Sequence, residues 1–143
     1  MKVLRNIFFS IILLHSISVN GRDYNLDSLK KIWNNVGLTD TIRLEALMYS
    51  ISEYNNYDTS IKYSKLLIDE SIKSKSKIHE AMGYKYFADY SFRLNYPTDT
   101  IFNNYTKSRN ILKEINEKKL YVSASVNMAN VMVKTDKRKA ILI

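Results

Sequence analysis

Cysteine is missing from all 143 residues, proline appears once and glycine three times. A disulfide framework, a thiolate-bound metal and a thiol redox centre are therefore excluded. So few breakers also exclude collagen-like, proline-rich and glycine-linker chains. Histidine is scarce too: His15 and His79 are the only two. No apolar run reaches the roughly 20 residues that a transmembrane helix needs. What is present is rich in Ile, Leu, Lys, Asn and Tyr, with 45% apolar and 25% charged residues. That composition predicts one compact, mainly helical domain, long enough to bury a core. Lys and Arg outnumber the acids 22 to 14, giving a net charge of +8 and a pI near 9.5.

Residues 1–21 stand apart. Lys2 and Arg5 precede the apolar run Ile7 to Leu14, and Val19-Asn20-Gly21 supplies small residues after it. This charged, apolar, small order predicts a secretory signal peptide, and hence an exported, periplasmic chain. No cysteine follows it to carry a lipid. Losing Lys2 and Arg5 leaves residues 22–143 near +6.

The rest reads as helices. Leu26, Leu29, Ile32, Trp33 and Val36 recur at three and four residues, and Gly37 is placed to end that helix. A second helix begins near Asp40 with Leu44, Leu47, Met48 and Ile51 on its stripe. Asp58 or Thr59 is expected to cap a third, carrying Ile61, Leu67, Ile68 and Ile72, which ends in the polar break Lys73 to Lys77. A fourth, from Ser76 to Leu94, spreads Ile78, Met82, Tyr84, Tyr86, Phe87, Ala88 and Phe92 over two faces. After Pro97 a fifth carries Ile101, Phe102, Tyr105, Ser108 and Leu112, and a sixth from Glu117 carries Leu120, Ala124, Met128, Val131 and Met132. Thr135-Asp136 is expected to open a seventh, of which two turns exist; it would leave Leu120, Met128 and Val131 poorly covered.

The turn aspartates Asp58, Asp99 and Asp136 lie 41 and 37 residues apart, and Ala88 and Ala129 lie 41 apart. Helix–turn–helix units of about 34 to 47 residues mark an α-solenoid. Small residues let partner helices approach, and a ring such as Tyr105 fills the opposite gap.

Those residues resemble the tetratricopeptide repeat. Asp99 to Ser108 looks like the start of a repeat's second helix, Phe87-Ala88 and Met128-Ala129 resemble the Leu-Gly pair of the first helix, and Asp136 to Ile141 resembles another second-helix opening. Leu26 to Trp33 and Thr39 to Leu47, after a signal peptide, look like the exported tetratricopeptide regions of Bacteroidota sensor proteins. Such regions precede a membrane span and a kinase, cyclase or DNA-binding output. The departures are Leu47 or Met48 at the first small site, a drifting repeat length, and no span or output domain after Ile143. They imply a truncated or split member or an N-terminal fragment; if the reading frame ends at Ile143, the apolar Ala140 to Ile143 is expected to dock on a partner or a second copy.

Reactive groups do not converge. His79 reads as surface decoration on a Lys-rich helix start, Asp69 and Glu70 are adjacent on one helix, and no phosphate loop or metal-ligand spacing exists. Lys73, Lys75 and Lys77, or Lys134 to Lys139, together with 11 tyrosines, suit nucleic acid, but the lysines also suit helix ends and the tyrosines a core. Asp27-Ser28, Asp40-Thr41 and Asp99-Thr100 resemble O-glycosylation sites, though each is also ordinary capping.

The expectation is an all-α antiparallel helix-pair solenoid of about two and a half units. It is not an enzyme and has no cofactor or metal. Its groove takes a protein or peptide, and Met82, Lys85, Asp89, Phe92, Val126 and Asn130 face into it. By resemblance it is the sensory or scaffold part of an exported signal-transduction regulator. The alternatives are a stand-alone periplasmic scaffold and a cytosolic RNA-binding helical protein.

Overall fold

The computed structural model describes residues 25–141, the last five of these as backbone only; residues 1–21, read as a signal peptide, lie outside it. Six helices follow one another: α1 Leu26–Asn34, α2 Asp40–Glu53, α3 Tyr57–Lys73, α4 Lys77–Arg93, α5 Thr98–Glu114 and α6 Lys118–Ile141. Among the described residues there is no strand, and no helix is long and apolar enough to cross a membrane. Side-chain caps fix two of the starts. Asn25 accepts from Asp27 N at 2.9 Å, and Asn56 accepts from Thr59 N at 3.1 Å. The cap of α3 is thus two residues before Asp58, which lies in the first turn, where its charge suits the helix dipole. The first helix ends before Gly37: Asn35 is its C-cap, and the Asn35 side chain accepts from Gly37 N at 3.0 Å.

Three turns share one geometry. Lys75, Asn95 and Asn116 adopt left-handed φ values of 58°, 56° and 59°. After each, the next N–H returns to the helix: Ser76 N to Ser71 O at 2.8 Å, Tyr96 N to Ser91 O at 2.9 Å, Glu117 N to Leu112 O at 2.8 Å. These are Schellman endings, which satisfy the last carbonyls and reverse the chain within a few residues. Asparagine tolerates the left-handed region; lysine does so at a cost of about 1 kcal/mol or more. Lys75→Gly is therefore expected to raise stability by about 1 kcal/mol, read as a higher urea midpoint at unchanged slope.

Each helix packs on its sequence neighbours, and α2, α4 and α6 also touch one another in order, whereas α3 and α5 make no mutual contact. The described chain is therefore two-layered, with α2, α4 and α6 in one layer and α3 and α5 in the other. Leu44, Leu47, Ile51 and Leu67 form a core between α2 and α3, and Ala88, Ile101, Tyr105 and Val131 form another joining α4, α5 and α6. Small residues occupy the tightest crossings. Ser60, Ser64, Ser71, Ala81, Ala88, Ser91, Ser108 and Ala124 are fully buried. A Cβ placed on Gly83 would stand 2.7 Å from Ile68 Cγ1, 3.1 Å from Ile68 N and 3.3 Å from Ser64 O. At the other end, Arg43 ties α1 down: its Nε donates to Trp33 O at 3.0 Å and its guanidinium lies 4.9 Å from the indole centroid.

The expected break at Thr135-Asp136 does not exist: α6 runs straight through it to Ile141. Thr135 Oγ1 donates back to Val131 O at 2.8 Å within the same helix, and no glycine or proline interrupts Lys118 to Ile141. Coverage differs from expectation as well. Val131 is only 3% exposed, wedged against α4 and α5, while Val122, Val126 and Val133 are 58%, 52% and 54% exposed. Ile72 and Met132, expected in the core stripes, are half exposed. His79 is the largest surprise: it is 4% exposed, with Nδ1 2.7 Å from Ser76 Oγ, rather than surface decoration. The position is the third residue of α4, near enough to Glu45 of α2 to feel its charge, so the helix start is itself packed.

Candidate functional site

The layer of α2, α4 and α6 encloses an open cavity of about 470 Å³. From α4 it is lined by Tyr86, Asp89, Tyr90 and Arg93, spaced at i, i+3, i+4 and i+7, together with Phe92. From α6 come Asn127, Asn130, Val131 and Lys134, at the same spacing. One face of each helix thus turns to the cavity. Ser52 and Tyr54 close it from the end of α2, Tyr57 from the start of α3, and Tyr105 from α5.

Asp89 is the hub. Its Oδ1 accepts from the Tyr105 hydroxyl and from Asn127 Nδ2, the latter at 3.0 Å, and its Oδ2 accepts from Lys85 Nζ at 2.8 Å. One carboxylate therefore joins α4, α5 and α6. Burial and the neighbouring Asp89 charge push the Tyr105 hydroxyl well above the ordinary tyrosine range, because its phenolate would be both desolvated and repelled. Burial likewise pushes Tyr86 up to about 12. Both stay protonated hydrogen-bond donors at neutral pH. Around the rim, cations cover ring faces: Arg93 sits 5.4 Å from the Tyr57 centroid and Lys134 5.8 Å from that of Phe92. Tyr90 reaches across to Ile51 O at 3.4 Å, tying α4 to α2 beneath the cavity.

Of the six residues read from the sequence, Asp89, Phe92 and Asn130 line this cavity. Lys85 is not a lining residue but holds Asp89. Met82 is buried one turn earlier on α4. Val126 is not a lining residue: it is exposed on α6 one turn before Asn130, beside the cavity face. The sequence reading missed Asn127 and Arg93 and did not connect Tyr105 to Asp89. The spacing Asn127, Asn130, Lys134 at i, i+3, i+7 is the signal that marks the cavity face of α6. Among the described residues no cluster of three or more His, Asp or Glu is placed to hold a metal.

His79 gives this half of the molecule a pH dependence. Burial holds its pKa below the ordinary value, with Glu45 of α2 opposing that shift. The folded state then binds fewer protons than the unfolded one. Its contribution to stability is complete above the unfolded value of about 6.5 and is lost as pH falls below it. Urea midpoints measured from pH 7.5 down to 5 are expected to decline in the native chain and to stay level over that window in His79→Gln.

No family model, no curated protein and no solved structure matches this chain.

Proposed function

We propose that this chain is a non-catalytic protein-interaction module, a tetratricopeptide-like helix-pair solenoid whose α2–α4–α6 layer receives an extended peptide or a partner helix. The observation that carries this reading is the cavity itself. One polar and aromatic face each of α4 and α6, with Ser52 and Tyr54 at the end of α2, converges on one open trough. Stacking of α2, α4 and α6 in one layer, with α3 and α5 behind, is the arrangement expected of helix-pair repeats. The helix starts of α3, α4, α5 and α6, at residues 57, 77, 98 and 118, give a pair period of about 41 residues, within the range of such repeats. By the resemblance of Leu26 to Trp33 and Thr39 to Leu47, the module is the sensory or scaffold part of an exported signal-transduction regulator. A stand-alone periplasmic scaffold would use the same trough.

RNA binding is the less supported reading. Stacking of bases needs open ring faces, and at the trough Arg93 already lies 5.4 Å from the Tyr57 centroid and Lys134 5.8 Å from that of Phe92.

The test is selection from a displayed random peptide library on the full chain, followed by binding measurements on synthetic copies of the enriched peptides. Binders are expected, and Asn130→Trp, which fills the trough from an exposed position, is expected to weaken them at least tenfold. A library that yields no binder, or binders indifferent to Asn130→Trp, would overturn the reading.

A further inference from the structure

The uncovered side of α6 carries a regular pattern. Lys119, Val122, Val126, Ala129, Val133 and Asp136 are all exposed and follow one another at spacings of 3, 4, 3, 4 and 3. That is the seam of a coiled coil, turned away from the molecule's own core. The buried residues Ala124 and Val131 lie on the opposite side of the helix, and the cavity residues Asn127, Asn130 and Lys134 lie to one side. The pattern is also palindromic. Reversed on itself about the midpoint between Asn127 and Met128, it sets Val122 against Val133, Val126 against Ala129 and Lys119 against Asp136.

We propose that the occupant of this face is a second copy of the chain, with the two α6 helices antiparallel about a two-fold axis. Each layer of the seam is then filled twice by the symmetry, as an isologous contact requires. At both ends a lysine of one copy meets an aspartate of the other. A parallel pairing would instead set Lys119 against Lys119 and Asp136 against Asp136, so charge selects the antiparallel form. Neither residue forms an ion pair among the described residues, where all four ion pairs lie within single helices. Ala129 facing Val126 allows close approach at the centre. Ser123, Ser125, Asn130 and Met132 flank the seam and bring no like charges together there. With one narrow seam per copy, the contact is smaller than the roughly 800 Å² per partner of a standard interface, so the dimer is weak and concentration-dependent.

Sedimentation equilibrium of the full chain over about 5 to 500 μM tests this. The native chain is expected to show a reversible monomer–dimer equilibrium, and Val126→Arg to remain monomeric. Lys119→Asp and Asp136→Lys, each placing two like-charged pairs across the axis, are expected to raise the dimer dissociation constant about tenfold apiece. The double swap Lys119→Asp/Asp136→Lys restores both pairs and is expected to return within about twofold of the native value. All three positions substituted are exposed, and thermal unfolding by circular dichroism confirms that each variant folds. A native chain that stays monomeric, a dimer that survives Val126→Arg, or a double swap no better than the single changes would each overturn the proposal.

Discussion

Gly83→Val is expected to destabilise the fold by about 3 kcal/mol, a large fraction of the roughly 5–15 kcal/mol that holds an ordinary domain folded. The reason lies in how α3 and α4 meet. A Cβ at position 83 would stand 2.7 Å from a side-chain carbon of Ile68, and also 3.1 Å and 3.3 Å from backbone atoms of α3. A rotamer change of Ile68 would relieve the first contact; only separation of the helices relieves the others. Separation would in turn loosen Ile61, Ile68 and Phe87, which pack across the same crossing. Gly83→Ala is the graded control. It meets the same backbone atoms but gains about 1 kcal/mol of helix propensity, so its net loss is expected to be about 1 kcal/mol. Urea unfolding of the three proteins checks the series. A Gly83→Ala protein more stable than the native one would show that the helices separate without cost.

Asp89→Ala comes next, with an expected loss of about 3 kcal/mol. The substitution removes the acceptor of three donors at once and leaves Lys85, at 11% side-chain exposure, without its partner. The Tyr105 hydroxyl, on a residue 1% exposed, would be stranded between helices. Asp89→Asn keeps an oxygen for Tyr105 and Asn127 but gives up the charge on Lys85, and its loss is expected to be about half as large. Because Asp89 joins α4 to both α5 and α6, the damage concentrates in the C-terminal half. Hydrogen exchange is expected to quicken in α5 and α6 more than in α2 and α3. Equal protection in both halves would show that the hub does not couple these helices.

The sequence was most legible where the physics is local. Helix character follows from period and from the scarcity of breakers, and every regular element among the described residues is a helix. Boundaries at Lys73–Lys77 and around Pro97 were visible because polar runs and proline act on their own neighbours. The seventh helix failed for the same local reason. An aspartate after a threonine looks like a start, but inside a helix threonine bonds back to the preceding turn, and nothing nearby breaks the chain. His79 and Val126 failed for another reason. A rotation of some tens of degrees about the helix axis decides whether a side chain is buried, lines the trough or faces solvent, and period alone does not set that angle.

By itself, then, the amino-acid order determined the helical class and the lack of thiol chemistry, since helix character depends on residues within a turn or two of one another and thiol chemistry on the presence of cysteine. Tertiary packing alone decided which face of α6 is covered, that Gly83 is the point of closest approach, and that Asp89 gathers Lys85, Tyr105 and Asn127. These last are contacts across up to 38 residues of chain. Their partners are selected by how rigid helices fit side by side, a property of shapes rather than of neighbours in sequence.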